Sequence, residues 1–89
     1  TDFNPGSAPS YDLTLAMMLA CNLGRLTPAQ ALKGATLYGA KAIGLDDRAG
    51  SIEPGKSADF LVVDAPSINF WMYHYVPDRE IEVFVGGRM

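Results

Sequence analysis

One cysteine and one histidine are all that this 89-residue chain offers toward disulfide or soft metal chemistry. Cys21 has no partner for an internal disulfide, and His74 stands outside any Cys/His pattern of a structural zinc site. Cys21 lies in the apolar run Leu19-Ala20-Cys21, which favours a buried, unreactive thiol and a reducing compartment. Basic charge is scarce as well: the net charge is -3, and Arg25, Lys33, Lys41, Arg48, Lys56, Arg79 and Arg88 are scattered singly. That leaves no electrostatic footprint for nucleic acid. The longest apolar run, Leu15 to Cys21, is too short to span a bilayer, and no basic start of a signal peptide precedes it. The chain also lacks a Gly-rich phosphate loop, a Ser-His-Asp spacing, internal repeats and low-complexity segments. It begins with Thr rather than Met, inside what reads as a strand, and stops after a turn signal, so a piece of a longer enzyme is expected.

What is present is the composition of a soluble globular protein, 48% hydrophobic and 19% charged, with room for one small core. Tyr11 to Asn22 carries Leu, Met and Ala almost all the way round, which predicts a helix buried on most of its surface. Asn22-Leu23-Gly24 stops it. Thr27-Pro28-Ala29-Gln30 opens the next helix, with Thr27 as cap, Pro28 at the first position and Gln30 completing a capping box. Gly34 and Gly39 predict that this second helical stretch divides in two. Ile52-Glu53-Pro54-Gly55-Lys56 reads as a tight turn, and Phe60-Leu61-Val62-Val63 as a short buried strand. Ile81, Val83 and Val85 share one face of a second strand, closed by a Gly86-Gly87 hairpin turn. Asn69 to Val76, crowded with aromatic residues, has no assignable periodicity. Its Phe70, Trp71, Tyr73 and Tyr75 suit packing better than a binding platform.

Among the carboxylates, Asp59 and Asp64 bracket a strand and suit pinning a turn, while Asp46 and Asp47 read as loop. Asp2 differs. Thr1 and Phe3 suit a strand, and Pro5-Gly6 forbids its continuation, so Asp2 is expected at the strand's carboxyl end. Two roles fit such a group: a turn cap, favoured by composition alone, or a metal ligand and proton carrier. His74 cannot complete a metal triad with nearby residues.

The run from Leu26-Thr27-Pro28-Ala29-Gln30-Ala31-Leu32 through Ala42-Ile43-Gly44-Leu45 to Gly50-Ser51-Ile52-Glu53-Pro54-Gly55-Lys56-Ser57-Ala58-Asp59-Phe60-Leu61-Val62-Val63-Asp64 resembles the C-terminal portion of the metal-dependent amidohydrolase superfamily. The opening Thr1-Asp2-Phe3-Asn4-Pro5-Gly6-Ser7 is similar to the last barrel strand of the imidazolonepropionase family. Asp64-Ala65-Pro66, followed by Tyr73-His74-Tyr75, resembles that family's tail.

This resemblance implies an α/β fold: the last strand and following helices of a (β/α)8 barrel over residues 1–48, and part of a small β-sandwich over 49–89. As a separate piece the chain is expected to be mixed α+β. Asp2 is implied as the catalytic residue and as ligand of one divalent metal, zinc or iron, with Asn4, the backbone of Gly6, and Ser7 binding substrate. The implied reaction is opening of 4-imidazolone-5-propanoate to N-formimidoyl-L-glutamate, a step of histidine degradation, in a cytoplasmic enzyme with a homodimer implied. The superfamily's metal-binding histidines lie upstream of this sequence, so the chain alone is expected to be inactive and to need the missing N-terminal part. Two alternatives stay open: another amidohydrolase, such as a heterocycle deaminase using the same Asp2, and a small non-enzymatic binding module. No nucleic acid or membrane partner is expected.

Overall fold

A computed structural model describes residues 1–89. Helix α1 runs Leu13–Asn22 and α2 Pro28–Lys33; a π-helical turn, Gly34–Tyr38, joins α2 to α3, Gly39–Ala42. Strand β1, Phe60–Val63, helix α4, Ile68–Tyr73, and strand β2, Ile81–Phe84, follow. The chain is thus a mixed helix and strand structure with three of its helices first and the fourth between the two strands.

Local chemistry starts each helix. Asp12 Oδ1 accepts the Leu15 N–H at 3.1 Å to open α1. At α2 the capping box forms in both directions: Thr27 Oγ1 accepts from Gln30 N at 3.2 Å, and Gln30 Oε1 accepts from Thr27 N at 2.9 Å. Pro28, which has no N–H to satisfy, takes the first turn.

The two glycines do not divide the second helical stretch. Gly34 and Gly39 both keep right-handed helical dihedrals, and the hydrogen-bond register loosens to π between them. Thr36 supplies a reason: its hydroxyl donates to the Leu32 carbonyl at 2.7 Å, competing for the acceptor of an ordinary helical bond. Gly50 then lets the following loop lie directly on this π turn. It has φ of 93°, and a Cβ there would stand 2.7 Å from Ala40 Cβ and 3.0 Å from Leu37 Cα.

β1 and β2 form a two-stranded antiparallel sheet in the register Phe60↔Phe84, Leu61↔Val83, Val62↔Glu82 and Val63↔Ile81. The Phe60 and Phe84 rings stack across it at 4.7 Å. Gly86 and Gly87, at φ 61° and 78°, make the tight turn that their sequence announced. Asp59 pins that turn by accepting the Gly86 N–H at 2.8 Å.

One core joins the two halves of the chain. Met17, Met18 and Cys21 of α1, Ala31 of α2, and Trp71 and Met72 of α4 form it, with Val63 and Ile81 packed against it. Cys21 is buried and its thiol free. Three expectations change here. α1 buries one face only, leaving Leu13 and Leu19 about half exposed. β1 is not buried, because the sheet has two strands and Leu61 and Val62 remain half exposed on opposite faces. The unassigned aromatic segment holds helix α4, opened by Ser67, whose Oγ accepts from Phe70 N at 3.0 Å.

The Glu53-Pro54-Gly55-Lys56 turn forms as expected, with Gly55 at φ 89° and Lys56 N donating to Glu53 O at 3.2 Å. The Glu53 carboxylate accepts from Ser51 and lies 3.1 Å from Lys56 Nζ. Chiefly the Ser51 hydrogen bond, then Lys56, holds the Glu53 carboxyl below the ordinary glutamate value. A depressed acid stabilises the fold above its unfolded pKa and loses that contribution as pH falls through its folded pKa. Carboxyl-carbon NMR should therefore place the Glu53 midpoint below the ordinary value and move it up toward that value in Ser51→Ala, with Lys56 still holding part of the depression. A midpoint at or above the ordinary value in the parent would show that the trio does not form.

Candidate functional site

The opening segment is a loop tied together by one side chain. Asn4 Oδ1 accepts from Gly6 N at 3.0 Å, Ser7 N at 2.8 Å and, at 3.3 Å, Ser7 Oγ. Asn4 Nδ2 donates to the Asp2 carbonyl at 2.9 Å. Asn4 and Ala8 also exchange two backbone hydrogen bonds, 2.9 Å and 3.3 Å, across the loop's neck. An Asn before Pro-Gly is suited to this, since its amide can replace the turn's backbone acceptor. Asp2, Asn4, Gly6 and Ser7 are therefore drawn into one exposed loop, as a shared site requires.

Thr1–Phe3 departs from expectation. These residues form no strand here, and Asp2 takes a left-handed φ of 47°. A strand end holds extended geometry through hydrogen bonds from neighbouring strands, and none lies beside it within these 89 residues. Asp2 is not a turn cap either: the bonds that close the loop go to Asn4, and the Asp2 carboxylate has no hydrogen bond or ion pair. The Phe3 ring stacks on Tyr11 with centroids 3.9 Å apart and planes 17° from parallel.

A free carboxylate is a hard oxygen donor that suits a divalent zinc or iron ion as one ligand. As a metal ligand it would stand alone here, because no three His, Cys, Asp or Glu side chains gather anywhere in the chain. His74 is occupied elsewhere. Its ring stacks on Phe70 at 3.9 Å, and its Nδ1 lies 2.9 Å from the Phe70 carbonyl. The aromatic segment divides by face: Trp71 is core, while Phe70, Tyr73 and Tyr75 are exposed.

Two features have no local signature in the sequence. Tyr75 donates to Asp12 Oδ2 at 3.1 Å, so the N-cap of α1 is held from the far end of the chain. That bond, with burial and the nearby carboxylates adding to it, raises the Tyr75 pKa above its ordinary value. An apolar groove of about 640 Å³ also runs between the α2–α3 stretch and β1, lined by Leu32, Ala35, Ile43, Ile52, Leu61 and Trp71 among others. It includes none of the Asp2 loop residues. No periodicity announces either feature, since both join residues distant in sequence.

The model of the amidohydrolase family matches residues 2–89, nearly the whole chain. The chain belongs to the amidohydrolase family. This family is in general metal-dependent. Similar proteins include imidazolonepropionases from Treponema denticola, 44% identical over all of this chain and 22% of the relative, and from Geobacillus thermodenitrificans, 45% identical over all of this chain and 21% of the relative. A third, from Shewanella baltica, is 47% identical over all of this chain and 22% of its own length. The chain thus spans about a fifth of the length of the curated relatives it matches. No helix is long and apolar enough to cross a membrane.

Proposed function

We propose that this amidohydrolase chain is the C-terminal part of an imidazolonepropionase, a cytoplasmic enzyme of histidine degradation that opens 4-imidazolone-5-propanoate to N-formimidoyl-L-glutamate. The observation that carries the proposal is the loop itself. It offers a free carboxylate at Asp2 beside amide and hydroxyl groups fixed by Asn4, in a chain alike over its full length to proteins of that name. In the whole enzyme, residues 1–48 supply the last barrel strand and the helices after it, and residues 49–89 part of a small β-sandwich. Neighbouring barrel strands would give Thr1–Phe3 the hydrogen bonds that they lack here, and a homodimer fits the same picture.

One Asp2 oxygen would hold a divalent zinc or iron ion together with histidines from the preceding part of the enzyme. Such an ion supplies a Lewis acid that makes water nucleophilic near neutral pH. The second Asp2 oxygen would accept the proton that the attacking water loses and return it to the ring nitrogen as the C–N bond breaks. Water adds across that bond, so the product is the opened formimidoyl acid with all atoms accounted for. The free N–H of the Asn4 amide, the Gly6 backbone and the Ser7 hydroxyl bind and orient the ring and its opened arm. Their place at the carboxyl rim of a barrel strand is where such groups act.

The full-length gene product should consume imidazolonepropanoate, followed by loss of its ultraviolet absorbance, and leave amino-pyrimidines and amino-purines untouched. Release of ammonia from those heterocycles, with imidazolonepropanoate inert, would replace the proposal with a deaminase. The 89-residue chain alone is expected to show neither turnover nor tight metal, having one ligand where a catalytic site takes about three. Stoichiometric metal with turnover in that chain would contradict the division of the site.

A further inference from the structure

The core of this chain is open at one end. Leu32, Ala35 and Val63 pack against the buried cluster around Trp71 and Met72, and the same three residues line the apolar groove of about 640 Å³. The groove is therefore the core continued without its filling. Strand register shows why: Val63 and its partner Ile81 share one face of the sheet with Leu61 and its partner Val83, since side chains two residues apart point the same way. The first pair is packed on the core, whereas Leu61 and Val83 are each 52% exposed. Ile43 and Ile52, also in the lining, are 71% and 87% exposed.

The chemistry of the lining selects the occupant. Asp59 is its only charged side chain, and Asp59 Oδ1 accepts the Gly86 N–H; the Thr36 hydroxyl donates to the Leu32 carbonyl, and the Ser51 hydroxyl bonds Glu53 and Lys56. Trp71 Nε1 has no partner but is already enclosed. No polar group is left to orient a small polar ligand, as a ligand pocket requires. An apolar protein segment needs none. We infer that the groove is the docking seat of an apolar, uncharged segment from the preceding part of the same polypeptide. The inference rests on the proposed reading of this chain as the C-terminal part of a longer enzyme, of which it is about a fifth, as in its relatives. A segment tethered in the same polypeptide meets the groove at an effective concentration of about millimolar, which a second copy does not reach at working dilution.

The test places p-benzoylphenylalanine, a photo-crosslinking residue, at Leu61 of the full-length enzyme, with Ile52 as the second position should the first variant fail to fold. Irradiation is expected to join that position to a peptide upstream of Thr1 within one polypeptide, read by mass spectrometry and as a single-chain band on a denaturing gel. Leu61→Asp, which puts an unpaired charge in the seat, is expected to lower the melting temperature of the full-length enzyme by several degrees. Crosslinks confined to residues 1–89 would mean a groove that closes on itself, crosslinks between two polypeptides a second copy, and no crosslink an open face. Each of these overturns the inference, as does an unchanged melting temperature in Leu61→Asp. The unsubstituted enzyme is assayed with imidazolonepropanoate alongside: turnover without an upstream crosslink means that the docking alone has failed, and an upstream crosslink without turnover means that the proposed activity has failed.

Discussion

Asp2→Asn in the full-length enzyme is expected to lower kcat by roughly 10²- to 10⁴-fold, the usual contribution of a positioned proton acceptor. Asparagine matches the shape of the carboxylate and can still offer one oxygen. It cannot take up the proton released by the attacking water. Metal affinity should fall too, since a neutral oxygen replaces a charged one. The melting temperature of metal-free protein should not move, because the Asp2 carboxylate makes no hydrogen bond or ion pair within the chain. Retention of kcat would remove Asp2 from the reaction. A large fall in stability would instead make it structural.

Met72→Ala carries the other large effect, on stability. Met72 is 1% exposed and lies where α4 meets α1 and α2, among Met17, Met18, Cys21, Ala31 and Trp71. Only eight of the 89 residues are buried, so within this chain little else shares the load. Truncation should cost about 2–5 kcal/mol, because the removed atoms leave a cavity that rigid helices close only in part. Met72→Leu nearly conserves volume and should cost less than about 1.5 kcal/mol. Denaturant unfolding of the full-length protein reads both. Equal losses would show that the site repacks freely and that this crossing is not where the helices are held.

The legible parts of the fold are those whose chemistry is local. Thr27, Pro28 and Gln30 form their cap because all the partners lie within one turn. Gly86-Gly87 makes the hairpin because both residues need positive φ, which glycine adopts without strain. What stayed hidden depends on contacts from elsewhere. Burial around α1 and β1 was overestimated, since apolar sequence states what can be covered and not what covers it. Gly34 and Gly39 weaken a helix on average, yet both stay helical here, with a π turn between them where the Thr36 hydroxyl bonds the Leu32 carbonyl. α4 was missed because an aromatic run obscures period, although Ser67 marked its start.

The candidate site divides in the same way. Asn4-Pro5-Gly6-Ser7 is a short-range motif, and its residues do gather in one loop. The strand expected at Thr1–Phe3 needs neighbours outside these 89 residues, so its geometry is not encoded locally. The Phe3–Tyr11 stack and the Tyr75–Asp12 bond span distances over which periodicity says nothing.

The most direct measurement is a crystal structure of the metal-loaded full-length enzyme with an imidazolonepropanoate analogue bound. An Asp2 oxygen is expected among the metal's ligands, with histidines from the preceding part of the enzyme completing the set and the analogue against Asn4, Gly6 and Ser7. A metal bound without Asp2, or an analogue seated away from this loop, would contradict it.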